Sequence, residues 1–191
     1  MNLSDSIIER LCYYAKMQPQ HDAAVSANFT LSYSELTDLI EAQAIRLIDQ
    51  GLTKQDTIGI YCSDEIQHLI LNLAAIYIGA TSCTLPSFDT KEVRQSIAES
   101  CGVSFFADSQ MAIDLTKQSS IGSSSSSRLA HAENAKLLFS TSGTTGRPKQ
   151  VVHYDSDLAA QAHRHIQSAK ERFACVASIE HNFAKRHRLY C

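Results

Sequence analysis

The order of apolar and polar positions predicts a chain that alternates helix-period with strand-like segments. Ser32 begins a capping box with Glu35, and Leu36, Leu39, Ile40 and Leu47 then recur on one helical face until Gly51 closes the segment. Thr57 to Cys62 reads as a short strand. Ser63, Asp64 and Glu65 supply a cap and dipole-matched acids for a second helix, whose buried stripe is Ile66, Leu69, Ile70, Leu73 and Tyr77 and whose stop is Gly79. Ser82 to Leu85 is a further strand, Thr90 opens a helix carrying Val93 and Ile97 that stops near Gly102, and Val103 to Ala107 is strand again. Lys136 to Ser140 and Phe173 to Ser178 are two more strands. Strands alternating with helices over short connections predict an α/β fold, a mostly parallel sheet flanked by helices and joined by right-handed crossovers.

One stretch breaks this rhythm. Residues 119–127, SSIGSSSSS, have almost nothing to bury and are expected to be a flexible surface connection. Composition narrows the partners. The chain has 191 residues, 44% hydrophobic content, no Trp and a net charge of -3, enough for one core and too balanced to draw the whole chain onto nucleic acid or an anionic membrane. Neither partner is expected. The first residues carry Asp5, Glu9 and Arg10 and lack the pattern of a secretory signal, and no apolar run reaches spanning length. The six cysteines fall at irregular wide spacings without a C-x-x-C pair, as reduced thiols of a cytoplasmic protein would. Among eight histidines there is no H-E-x-x-H, and His163 and His165 are spaced to point to different faces of a helix, so a metal site is not expected.

The candidate chemistry lies after the strand at Lys136, in Ser140-Thr141-Ser142-Gly143-Thr144-Thr145-Gly146-Arg147-Pro148-Lys149. Gly143 and Gly146 remove side chains that would block close approach and allow successive N–H groups to converge on one anion. Thr141, Ser142, Thr144 and Thr145 add hydroxyl donors, and Lys149 adds a full positive charge. A phosphate chain is the natural guest. The glycine and lysine spacing does not fit G-x-x-x-x-G-K-[ST].

This segment resembles the signature T-S-G-T-T-G-x-P-K-G of the adenylate-forming enzymes, which include acyl-CoA synthetases, peptide-synthetase adenylation domains and luciferases. Thr141 to Lys149 reproduces it for nine positions, and Gln150 stands where the family usually has Gly. Upstream, Leu31-Ser32-Tyr33-Ser34-Glu35-Leu36 is similar to the family's L-T-Y-x-E-L segment. A Ser/Thr/Gly/Pro cluster alone is usually just a polar loop between strands. Nine consecutive matches at a strand exit, with a second ordered match before them, outweigh that explanation here.

The resemblance implies that the whole chain, residues 1–191, is a partial N-terminal AMP-binding domain, an incomplete N-terminal subdomain of the adenylate-forming fold. The adenine- and ribose-binding segments, the magnesium ligands and the small C-terminal domain would then lie outside it. It implies ATP and Mg2+ as cofactors, a carboxylate as substrate, and a thiol of coenzyme A or a carrier protein as acceptor. Thr141, Ser142, Gly143, Thr144, Thr145, Gly146 and Lys149 would hold the phosphates while carboxylate and ATP form acyl-adenylate and pyrophosphate. The chain alone is expected to be inactive. His181 stands where the family places a residue that gates the acyl pocket; a solvated histidine at a helix start is the equal alternative. His153, behind Val151 and Val152 on a short strand, is expected to be structural. The run Lys185, Arg186, His187 and Arg188 is expected to be a solvated helix face rather than a phosphate or RNA contact. Two other readings stay open: a natural short paralogue serving as a non-catalytic binding or scaffold module, with Phe183, Leu189 and Tyr190 buried, and an unrelated nucleotide hydrolase, for which no magnesium-binding Asp stands at a strand end.

Overall fold

The structure, a computed structural model, describes residues 6–113, 115, 135–141, 149–165 and 174–190. Its elements in chain order are α1 (Ile7–Met17), β1 (Asp22–Val25), β2 (Thr30–Ser32), α2 (Tyr33–Asp49), β3 (Thr57–Tyr61), α3 (Glu65–Ile78), β4 (Thr81–Thr84), α4 (Lys91–Ser100), β5 (Phe105–Asp108), β6 (Lys136–Thr141), β7 (Lys149–Tyr154), α5 (Asp155–His165) and α6 (Asn182–Tyr190).

Five strands form one sheet in the order β5-β3-β4-β6-β7, while β1 and β2 make a separate antiparallel pair. The β3–β4, β3–β5 and β4–β6 pairs are parallel, and only β6–β7 is antiparallel. The expected mostly parallel α/β sheet is therefore present. Its helices start and stop where local chemistry dictates. Ser32 Oγ accepts from Glu35 N while Glu35 returns a carboxylate to Ser32 N at 2.8 Å, the reciprocal cap expected at α2. Asp64 caps α3 by accepting from Gln67 N at 2.8 Å, and Gly79 ends it with φ of 84°, a left-handed turn that a Cβ would strain. Thr90 caps α4.

Alternation along the strands divides the core in two. Ile58, Ile60, Leu137 and Phe139 belong to the large cluster with residues of α1, α2, α3 and α5. Cys83 and Leu85 join Ile97 and Ala98 of α4 in a smaller cluster, with Val103 and Leu138 packed against it. Gly59 faces that side, where a Cβ would meet Leu85 Cδ1 and Val103 Cγ1 at 2.9 Å. The chain's early and late parts meet through Asp155, a buried residue whose Oδ1 accepts from Ile7 N at 3.0 Å.

Two expectations need correction. Residues 174–178 are not a strand; they lie against α6, where Arg188 donates to the Ala177 carbonyl at 2.9 Å. The basic run is not a solvated face either. Lys185 is buried, Arg188 forms an ion pair with Glu65 at 2.5 Å, and Arg186 donates to Gln161 Oε1 at 2.6 Å. The Ser-rich segment 119–127 lies outside the described residues, and no helix among the described ones is long and apolar enough to cross a membrane.

Candidate functional site

The Gly-rich segment is carried by a hairpin. Thr141, the last residue of β6, and Lys149, the first of β7, are partners in the antiparallel register, after Phe139↔Val151 and Ser140↔Gln150. Residues 142–148, with Ser142, Gly143, Thr144, Thr145 and Gly146 among them, lie outside the described residues, so the structure locates the two ends of the expected phosphate loop. Those ends sit at the carboxyl edge of a strand that runs parallel to β4. In open α/β sheets this edge is where ligands bind. Lys149 is exposed there. Gln150, the departure from the family pattern, occupies an ordinary strand position and its amide donates to Ser100 Oγ at 3.4 Å.

The carboxyl ends of β3 and β4 are a topological switch point, because β3 leads into α3 while β4 leads into α4, which packs with the smaller cluster. The chain fills this crevice with its own turn at Ser178–His181. Glu180 is buried, and its carboxylate accepts from Ser87 N at 2.6 Å and from Ser87 Oγ at 2.7 Å. Ile179 N donates to the Glu65 carboxylate at 3.0 Å, which in turn holds Arg188. His181, the next residue, is exposed and stacks on the exposed Phe88 ring, with centroids 4.9 Å apart and planes at 22°. The imidazole is thus presented at the same sheet edge as Thr141 and Lys149, against its stacking partner. His153, by contrast, packs edge-on against Phe139 at 5.3 Å, and burial lowers its pKa, as a structural histidine's would be.

Behind this edge lies a buried polar cluster. His68 and Asn72, one turn apart on α3, are both fully buried. His68 Nδ1 contacts the Cys62 carbonyl at 2.7 Å, and its Nε2 lies 3.4 Å from Thr84 Oγ1. Lys185 enters from α6, donates to Thr84 Oγ1 and, at 3.4 Å, to Asn72 Oδ1, and places its ammonium 5.6 Å from the Phe139 ring centroid. Burial pushes Lys185 down to about 7, and burial with the Lys185 charge pushes His68 down to about 3. Lys185 is held inside the protein by Thr84 and Asn72. Spacing alone could not have revealed the Glu180–Ser87 latch, since 93 residues separate its partners. His68 and Asn72 were detectable in principle, as two polar residues one turn apart among the leucines, isoleucines and alanines of α3.

A cleft of about 330 Å³ opens at the ends of β3 and β5, between Tyr61, Phe106, Asp108 and the α4 residues Lys91, Arg94 and Gln95. Arg94 stacks 4.6 Å from the Tyr61 centroid and is tied to the Pro86 and Asp89 carbonyls. Strand β4 separates β3 from β6, so this cleft does not adjoin the base of the β6–β7 hairpin. Among the described residues no three His, Cys, Asp or Glu side chains converge as metal ligands, so no ligand set for magnesium is assigned among them.

The model of the AMP-binding enzyme family matches residues 13–191. Oxalate–CoA ligase of Arabidopsis thaliana is 27% identical over 187 residues, covering 82% of this chain and 36% of that protein. The hybrid PKS-NRPS synthetase apdA of Emericella nidulans is 30% identical over 165 residues, covering 78% of this chain and 4% of that one. Among solved structures, VinN superposes with a TM-score of 0.81 at 18% identity, covering 97% of this chain and 53% of VinN. The Klebsiella oxytoca NpsA N-terminal subdomain in complex with 3-hydroxyanthranilyl-AMSN gives 0.75 at 19%, covering 92% and 48%. These structural likenesses establish the fold; the chain spans about a third of the oxalate ligase and about half of each solved neighbour.

Proposed function

From the premise that the chain belongs to the AMP-binding enzyme family, we propose that it supplies the ATP-phosphate loop of a carboxylate-activating ligase. The observation that carries this reading is the Thr141↔Lys149 pair, which brings the two ends of the signature segment side by side at the carboxyl edge of the sheet. The reaction is attack of a carboxylate oxygen on the α-phosphate of ATP, giving an acyl-adenylate and pyrophosphate, followed by transfer to a thiol of coenzyme A or a carrier protein. Loop N–H groups and the hydroxyls of Thr141, Ser142, Thr144 and Thr145 would hold the departing phosphates. The Lys149 ammonium would offset their charge as it develops, the kind of preorganised stabilisation that dominates such transfers. Magnesium supplies further charge neutralisation when bound. His181, presented on Phe88, would border the carboxylate pocket.

The test is ATP–pyrophosphate exchange over a panel of carboxylates, run on this chain joined to the remaining length its relatives carry and on residues 1–191 alone. Exchange is expected only from the longer protein, and Lys149→Ala should lower it about 100-fold. An unchanged rate in that variant rejects the loop assignment, and exchange by residues 1–191 alone rejects the inactivity of the isolated chain. A second reading, a non-catalytic binding or scaffold module, draws support from Leu189, which is buried within the chain's own core. Phe183 and Tyr190, its other two markers, have side chains outside the described set. Retained exchange in the longer protein excludes it.

A further inference from the structure

Strand β4 and the end of α4 bring two sulfur atoms together. Cys83, on the α4 side of the sheet, is 1% exposed, and Cys101, the C-cap of α4, is half-buried. The Cys83 thiol donates to Cys101 Sγ at 3.2 Å. Leu85, Ile97, Ala98, Val103 and Leu138 surround the pair and fix both backbones, and the left-handed Gly102, with φ of 63°, turns the chain so that Val103 N bonds back to the Ala98 carbonyl. A disulfide bond is about 2.05 Å long, so closure requires about 1.2 Å of sulfur movement, within the reach of small χ1 changes.

The two thiols differ in a way that sets an order. Cys101 is reachable from solvent, and the hydrogen bond it receives from Cys83 holds its thiol below the ordinary range. Cys83 is enclosed, and the same hydrogen bond together with burial pushes its thiol up. Thiolate character and access select the attacking sulfur.

We propose that Cys83 and Cys101 form a reversible redox site, with Cys101 as attacking thiol, Cys83 as resolving thiol and a low-molecular-weight disulfide as co-substrate. The Cys101 thiolate attacks one sulfur of RSSR, forming a protein–S–S–R bond and releasing RS⁻. Cys83 then attacks the Cys101 sulfur, its proton leaves with the second RS⁻ as RSH, and the internal disulfide is formed. The first RS⁻ takes up from water the proton that Cys101 released on ionising, so two protein thiols are oxidised and one RSSR is reduced to two RSH. The link closes over α4, between residues 18 apart, and fastens the helix end to β4. Ser100, next to Cys101, receives the Gln150 amide from β7, so the fastened turn adjoins the base of the hairpin that carries Lys149.

The experiment incubates the protein in glutathione mixtures of increasing oxidised fraction, quenches with acid, alkylates and maps the peptides by mass spectrometry. The expected product is a Cys83–Cys101 linked peptide lacking two hydrogens, formed reversibly, with alkylation of Cys101 slowed at least about tenfold. In the same samples the exposed Cys12 should carry glutathione without an internal link. In Cys83→Ser, Cys101 should accumulate as a glutathione adduct. A stable Cys101–glutathione adduct in the unaltered protein, or Cys101 alkylated equally fast before and after oxidation, would overturn the proposal. Both decisive readouts come from the unaltered chain and do not depend on the variant folding.

Discussion

Glu180 shows how a single residue can organise the sheet edge. A buried carboxylate is costly unless its oxygens are satisfied, and Glu180 meets that demand through Ser87 N and Ser87 Oγ. Removing the carboxylate leaves the half-buried amide donor of Ser87 without its acceptor and releases the turn that presents His181. Glu180→Ala should therefore destabilise the chain by about 1–3 kcal/mol, measured by urea unfolding. Ser87→Ala keeps the stronger backbone bond and should cost less. If Glu180→Ala unfolds at the same urea concentration as the unaltered protein, the latch is not holding the turn. Gly59 is a steric case: Gly59→Ala inserts a Cβ at 2.9 Å from Leu85 and Val103 in the packed α4 side and should cost about 1–3 kcal/mol.

At the scale of elements, legibility followed how local the cause was. The α2 capping box, the Asp64 and Thr90 caps and the Gly79 stop are determined within a few residues, and each is present as the sequence implies. The parallel sheet followed from the alternation of elements. What escaped depends on distant partners. Helix α1 owes part of its place to Ile7 N bonding Asp155 across 148 residues, and β1–β2 is a short pair with little alternation to betray it. The supposed strand at 173–178 failed because its described residues serve α6, with Arg188 taking the Ala177 carbonyl. The basic run on α6 failed similarly, since a cluster of charges does not reveal that Lys185 points into a pocket of His68, Asn72 and Thr84 hydroxyl and amide groups. Of the expected site, the fold places the two ends of the loop segment, Thr141 and Lys149, at the same sheet edge as His181, whereas the latch behind them had no signal in the sequence.

For the whole molecule, that buried lysine couples stability to pH. Lys185 titrates near 7 in the folded chain because burial removes water from its ammonium; Glu180 and Cys83 oppose the shift only in part. Its ordinary pKa is about 10.5, so between these values the unfolded chain binds more protons than the folded one, and stability rises with pH. Below about 7 both states carry the charge and the whole desolvation cost is present. His68 acts in the same direction at lower pH: held near 3 against an ordinary 6.5, it withdraws stability as pH falls below 6.5. Above pH 9 the Cys62 thiol, raised to about 11 by burial, and the raised Cys83 thiol act oppositely, because the unfolded chain loses their protons first. The clean window is pH 7 to 9, where Lys185 alone among these groups should add up to about 3 kcal/mol. Lys185→Met fills much of the same volume without the charge. It should be more stable than the unaltered chain at pH 6, should lose that advantage by pH 9 as Thr84 and Asn72 miss their donor, and should flatten the slope between. Urea unfolding at pH 6, 7, 8 and 9 measures this, and an equal slope in both proteins would mean that Lys185 keeps its proton in the fold, with α6 opening enough to let water reach it.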